Sequence, residues 1–278
     1  GVIGYNGKDH GGLSYVASSV DITSGRVQLV LVFNASGVQE VGEAVLGKLV
    51  DDLTARHRNW HSIWCHFHKA SRHDNAIFGR EGSAWQNMHG ESDPVTAALA
   101  LPTCTLNPPP MLRFPPQVFR QANLEGFTRI IREIRKWMNP RGNANGCAGK
   151  CVELYGGVGT IGLNVLDLVE ELSCSDANPF NEKCFLRSCD GLSSSDAERA
   201  RYSTGGAADM ALAGELTGPV DVLIVDPPRK GLDEEVLEKR ISGEEDPPLR
   251  ILYVSCGFKA FGRDYKRLSS RYNVVHAE

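Results

Sequence analysis

Cys256 lies at the end of a short apolar run, Ile251-Leu252-Tyr253-Val254, which breaks at Ser255-Cys256-Gly257. Such a run reads as a buried strand opening into a loop. In open α/β sheets the chemistry sits just beyond the carboxyl ends of the strands. A thiol there is placed to act as a nucleophile, although a lone cysteine packs as readily as a small hydrophobe. A second strand, Asp221 to Val225, ends in Asp226-Pro227-Pro228-Arg229, a rigid loop that offers a carboxylate. A third, Lys150 to Leu154, runs into the glycine-rich turn Tyr155-Gly156-Gly157-Val158-Gly159-Thr160 and then a helix from Ile161 to Leu168. Glycine there lets the backbone approach a ligand closely. Gly157, Gly159 and Gly162 fit the dinucleotide pattern literally. Glu153 followed by Tyr-Gly-Gly, however, is more typical of a site for S-adenosyl-L-methionine. Asp176, ending a weak strand from Leu172 to Ser175, is placed to bind ribose hydroxyls and suits either cofactor. Asp226 tips the balance toward S-adenosylmethionine, because a dehydrogenase has no need of a carboxylate at that loop.

The elements that must hold these groups fit a globular chain of 278 residues, 41% hydrophobic and 23% charged. Two domains are expected: a β-rich accessory domain over 1–105 and an α/β domain with a Rossmann-like sheet over 106–278. No apolar run is long enough to span a membrane. The net charge of −4 gives no global attraction to nucleic acid, so RNA contact would need a local basic face. Eight cysteines without framework spacing imply reduced thiols and an intracellular setting. The chain begins with Gly1 rather than Met, so the missing leader says nothing of targeting.

In the first region Val27 to Phe33 reads as a strand and Val41 to Ala55 as an amphipathic helix. Arg56 to His89 gathers six histidines and three tryptophans. His61, Cys65, His66 and His68 suggest zinc, but no paired spacing closes a four-ligand site, and no metal is assigned. Arg56, Arg58, Lys69 and Arg72 with stacking rings would suit RNA; a plain strand pair with surface histidines is the other reading. Glu91 to Pro110 reads as a proline-rich connector. Leu124 to Met138 then forms a helix whose basic face, with Arg129, Arg132, Arg135 and Lys136, reads as solvated. Gln121 and Asn123 near its start are placed either to cap it or to reach a ligand.

Five ordered motifs resemble those of the RNA 5-methyluridine methyltransferases, which methylate carbon 5 of uridine with S-adenosylmethionine. They are Phe119-Arg120-Gln121-Ala122-Asn123, Glu153 to Thr160, Asp176-Ala177-Asn178-Pro179, Asp226 to Gly231, and Tyr253-Val254-Ser255-Cys256 with Arg263-Asp264. The resemblance covers most of residues 105–275. It implies a class I methyltransferase domain behind a smaller β-rich domain, with Gln121, Tyr155, Thr160, Asp176 and Asp226 contacting the cofactor. It also implies Cys256 as nucleophile and an RNA substrate, transfer RNA ahead of ribosomal RNA. Gly257-Phe258 departs from the family's Asn-Pro after the cysteine, and Ala207 stands near a usual acid.

In that chemistry a thiolate adds to carbon 6 of uracil, carbon 5 takes the methyl, and a base removes the carbon 5 proton. The target base must leave its stack. Arg229 is a candidate cation to favour the thiolate. A 5-methylcytosine enzyme would need a second cysteine in the Asp226 loop, which has none. An RNA-binding or RNA-folding protein that keeps the scaffold without turnover is the remaining alternative. Tyr272 to Val275 reads as the start of a further strand, and the family's base lies beyond residue 278. The expected behaviour of this chain is therefore slow release. It should leave an RNA–protein adduct that survives denaturing electrophoresis and vanishes in Cys256→Ala. Rapid turnover would place the base within these residues.

Overall fold

The computed structural model describes residues 12–69, 84–138, 148–213, 219–241 and 247–278. The chain divides into two compact units, Gly1–Ala98 with Arg113–Phe119, and Leu99–Leu112 with Arg120–Glu278.

The first unit is built on a four-stranded sheet in the order β1 (Leu13–Val20), β2 (Val27–Phe33), β3 (Trp60–Phe67), β4 (Ala84–Gly90). The outer pairs are antiparallel, and β2 runs parallel to β3. A parallel pair needs a crossover, supplied by the short helix α1 (Val38–Val41) and by α2 (Glu43–Arg56). Leu46 and Val50 of α2 pack on Leu29, Leu31, Phe33, Ile63, Cys65 and Phe67. The candidate zinc ligands are thereby dispersed. Cys65 is buried in this apolar cluster, whereas His66 stacks on Trp85 at 3.9 Å and on His68 at 5.7 Å. Burial, and then the neighbouring His68, push His66 down to about 4, so the imidazole is neutral. Arg72 lies outside the described residues. The connector contains more order than its prolines suggest, because β5 (Val95–Ala97) pairs with β6 (Leu112–Phe114) and buries Val95 and Ala97.

The second unit carries a five-stranded parallel sheet, as the sequence leads one to expect of a Rossmann-like domain. Its order is β9 (Ala200–Thr204), β8 (Val169–Asp176), β7 (Ala148–Leu154), β10 (Val222–Val225), β11 (Arg250–Tyr253). From β7 the chain winds outward through β8 and, by way of α4 (Pro179–Cys189) and α5 (Ser194–Ala197), to β9, then crosses back to set β10 on the other side of β7. The order therefore reverses between β7 and β10, where sheets of this kind bind ligands. On one face Val152, Leu154, Leu223 and Val225 pack with Met210 and Ala211 of α6 (Ala207–Ala213) and with Leu268 of α7 (Phe258–Leu268). The helix expected after the glycine turn is a 3-10 segment, Gly162–Leu168.

Two sequence expectations are corrected. Tyr272 to Val275 forms no strand; the Tyr272 hydroxyl instead donates to the Pro248 carbonyl at 2.7 Å, and Val274 and Val275 are exposed. Apolar residues with no neighbouring strand cannot satisfy a ladder. Arg135 of α3 (Leu124–Met138) is not on a solvated face, since its side chain is only 4% exposed. Its guanidinium forks onto Asp167 at 2.6 and 2.8 Å and also donates to the carbonyls of Asn164 and Thr103. That fork pins the 3-10 segment to α3. Arg135→Ala takes the cation away from the buried Asp167 carboxylate, to which the Thr105 N–H and hydroxyl still donate, and is expected to cost about 3–5 kcal/mol in chemical denaturation. A loss below about 1 kcal/mol would show that water replaces the fork without penalty.

Candidate active site

Strand register sets the site. Leu154 lies beside Val225, and Val225 beside Tyr253. The chains leaving β7, β10 and β11 therefore emerge level with one another, at Tyr155, Asp226 and Val254. The Val254 N–H donates to the Val225 carbonyl at 2.9 Å, carrying the pairing one residue past the strands. Gly157, Asp176, Asp226 and Cys256 consequently all sit at one edge of the sheet, spread over the loops that flank the reversal of strand order.

Of the glycines in the turn after β7, most answer to packing. Glu153 is buried on the face opposite Val152 and Leu154, as strand alternation requires. Its Oε2 accepts from the Gly162 N–H at 3.0 Å and from the Cys174 thiol at 3.2 Å. A Cβ on Gly162 would lie 2.4 Å from that oxygen, and one on Gly156 would lie 2.4 Å from the Cys174 sulfur. A Cβ on Gly159 would meet the Phe185 ring at 2.5 Å. Gly157 differs in that nothing lies within 4 Å of its missing Cβ; its φ of 56°, like the 81° of Gly159, is left-handed. It is the position in the turn where the backbone faces open space. Burial pushes the Glu153 carboxyl up to about 8, against the two hydrogen bonds it accepts. The group is therefore neutral at pH 7.

Hydrogen bonds fix the strand-end loops to one another. Tyr155 has the left-handed φ of 59°, uncommon for a bulky residue. Its hydroxyl donates to Asp233 Oδ2 at 3.0 Å and accepts from the Asp233 N–H at 3.0 Å, joining the turn after β7 to the loop after β10. The same loop is held from the other side by Asp264 of α7. Its Oδ2 accepts from the Leu232 N–H at 2.9 Å and from the Tyr253 hydroxyl at 2.7 Å. The Arg263 guanidinium donates to the Lys230 carbonyl at 2.6 Å. Arg263-Asp264 thus works as a clamp. The sequence shows the pair as a motif, but nothing in its spacing reveals the Leu232 and Tyr253 partners.

Among the candidate residues, Asp176 accepts from the Gly157 N–H at 3.1 Å through Oδ2 and from the Asn178 N–H at 2.8 Å through Oδ1. It sits directly under the open position of the turn. Asp226 is half-buried, and burial pushes it up to about 6. Thr160 is half-buried at the end of the turn, where its carbonyl accepts from the Asn164 amide. Cys256 is exposed. The loop that carries it touches the Asp226 loop, since a Cβ on Gly257 would stand 3.1 Å from the Arg229 carbonyl oxygen. Gln121 is half-buried ahead of α3, and no hydrogen bond or ion pair among the described residues joins its amide to the strand ends. Asn123 caps the helix, its Oδ1 accepting from the Gly126 N–H at 2.8 Å.

With this geometry in place, the chain can be compared with known proteins. No family model matches it. It is 31% identical over 263 residues to an uncharacterised RNA methyltransferase of Protochlamydia amoebophila, covering 94% of this chain and 62% of that one. It is 32% identical over 164 residues to a 23S rRNA (uracil(747)-C(5))-methyltransferase of Pyrococcus horikoshii, covering 58% of this chain and 34% of that protein. The chain thus spans less than two thirds of the length of these relatives. In structure it superposes on Pyrococcus abyssi tRNA (uracil-54, C5)-methyltransferase, crystallised with S-adenosyl-L-homocysteine, at a TM-score of 0.58 and 19% identity. That match covers 92% of this chain and 53% of the other. The motif resemblance is borne out: the chain's sequence relatives are RNA methyltransferases, and its fold is that of a Rossmann-like methyltransferase.

Glu153 gives a pH signature. Its folded value of about 8 lies above the ordinary 4.5, so the stability tied to its neutral form is complete below about pH 4.5 and is lost progressively as pH rises from there through about 8. Glu153→Gln keeps the acceptor without the charge. Melting temperatures of the two proteins should run parallel below about pH 4.5, separate progressively from there to about pH 8 with the unsubstituted chain falling, and keep a constant gap above it. A gap that stays constant from pH 4 to pH 9 would mean that Glu153 ionises in the fold as it does in the unfolded chain.

Proposed function

We propose that the chain is an RNA uridine carbon-5 methyltransferase that uses S-adenosylmethionine and a covalent bond between Cys256 and the uracil. The observation that carries this is the level exit of β7, β10 and β11, with the loop of Cys256 against the loop of Asp226. An RNA substrate means that the protein works inside the cell. Transfer RNA is the first substrate to test and ribosomal RNA the second.

The residues at the turn suit the cofactor. Gly157 leaves space beside the backbone, the Asp176 carboxylate lies under it, and Asp226 is a carboxyl taken partly out of water with no hydrogen bond from a neighbour among the described residues to explain its place. Asp176 would hold ribose hydroxyls, with Tyr155, Thr160 and Gly157 shaping the cradle and Gln121 a further contact. When bound, S-adenosylmethionine supplies an electrophilic methyl group. Cys256 would add as thiolate to carbon 6 of the uracil, with electrons moving to the carbonyl oxygen at carbon 4, which makes carbon 5 nucleophilic. After carbon 5 has gained the methyl group, loss of its proton to a base lets the sulfur–carbon 6 bond break and returns the thiolate. Arg229 is exposed in the adjoining loop, where its charge would favour the thiolate.

The decisive assay follows methyl-labelled S-adenosylmethionine into unmodified transfer and ribosomal RNA transcripts. Label should appear as 5-methyluridine or in a protein–RNA adduct, and Cys256→Ala should lower either product about 10³-fold or more. Transfer of label that does not depend on Cys256 would remove the thiol from the mechanism. By calorimetry, Asp176→Ala should weaken S-adenosylhomocysteine binding by about 1–3 kcal/mol. Tight NADH binding with no S-adenosylhomocysteine binding would overturn the cofactor assignment.

A further inference from the structure

Phe258 is 88% exposed, more than any other large apolar side chain among the described residues. Single exposed hydrophobics are ordinary on protein surfaces, but this ring has a particular address. It lies two residues beyond Cys256 and opens α7, so it projects from the same loop that presents the thiol. The position is also held firmly. Ala260 and Asp264 of α7 are buried, Asp264 is bound to Leu232 and Tyr253, and Phe261 packs edge-on against Tyr253 at 5.2 Å. Gly257, immediately before the ring, sits against the Arg229 backbone. A fixed helix start is not a fraying end, so the aromatic is displayed rather than left over. Lys259 beside it and Arg229 in the adjoining loop are both exposed.

A rigid bare aromatic flanked by cations has the chemistry of a platform for unpaired bases. The ring offers a stacking face, and the cations meet the phosphates on either side. A base taken out of its stack also leaves its neighbours without a partner. Building on the uridine-methylation reading above, we propose that Phe258 stacks on an RNA base next to the uracil held at Cys256, and so favours single-stranded uridine sites. Arg229 and Lys259 supply sequence-independent phosphate contacts beside it. With the ring this exposed, little among the described residues packs on it, so its replacement is expected to leave the protein folded.

The test uses the full chain with a fluorescein-labelled oligouridylate and with an abasic oligomer carrying the same ribose-phosphate backbone. Phe258→Ala should weaken oligouridylate binding about tenfold. It should leave abasic binding, the salt dependence of affinity and S-adenosylhomocysteine binding unchanged. Phe258→Trp should retain affinity. Phe258→Leu, with bulk but no π face, should lose most of it. Equal weakening on both oligomers, an unchanged affinity for the oligouridylate, full rescue by leucine, or no binding of oligouridylate by the unsubstituted chain each overturns the proposal. Failure of the methylation reading is recognised separately, as absence of both methyl transfer and adduct with the unsubstituted chain on transfer and ribosomal RNA.

Discussion

The register of three parallel strands is the constraint from which the site follows. Because Leu154, Val225 and Tyr253 are neighbours across the sheet, the loops that follow them begin side by side. Loops packed that closely bring backbone polar groups together without a ladder to satisfy them, and buried groups of that kind must find partners. The chain supplies those partners from side chains: Tyr155 for the Asp233 N–H and Asp264 for the Leu232 N–H, with the Tyr253 hydroxyl bonded to the same Asp264 carboxylate. The same bonds that settle these groups hold the strand-end loops in place.

Glu153 shows a different use of a polar side chain. Its neutral carboxyl occupies the space under the glycine turn, and Gly156 and Gly162 exist in the form they do because the carboxyl and the Cys174 thiol leave no room for a Cβ. Only Gly157 faces outward. A glycine pattern can therefore match a cofactor motif while most of its members answer to interior packing.

Much of this was legible in the chain itself. The strands at Val222 and Ile251 announce themselves by continuous apolar runs, that at Lys150 by the glycine turn after it, and the carboxylates at the strand ends by position alone. Arg135 was misread because α3 carries four cations with like spacing, and periodicity cannot tell which of them meets Asp167, thirty-two residues away. Tyr272 to Val275 carries strand-like residues, yet a strand needs a partner and local sequence does not supply one. The role of Asp264 was hidden for the same reason, since its partners come from β11 and from the loop after β10.

Tyr155 brings two of these themes together. A bulky residue at a φ of 59° is held against its own backbone preference by order of 1–3 kcal/mol. The hydroxyl bonds to Asp233 are the restraint that keeps it there. If either loop opens, that restraint is gone and the strained backbone relaxes, which makes the opening of the other easier. The turn after β7 and the loop after β10 are therefore coupled, the opening of one lowering the cost of opening the other.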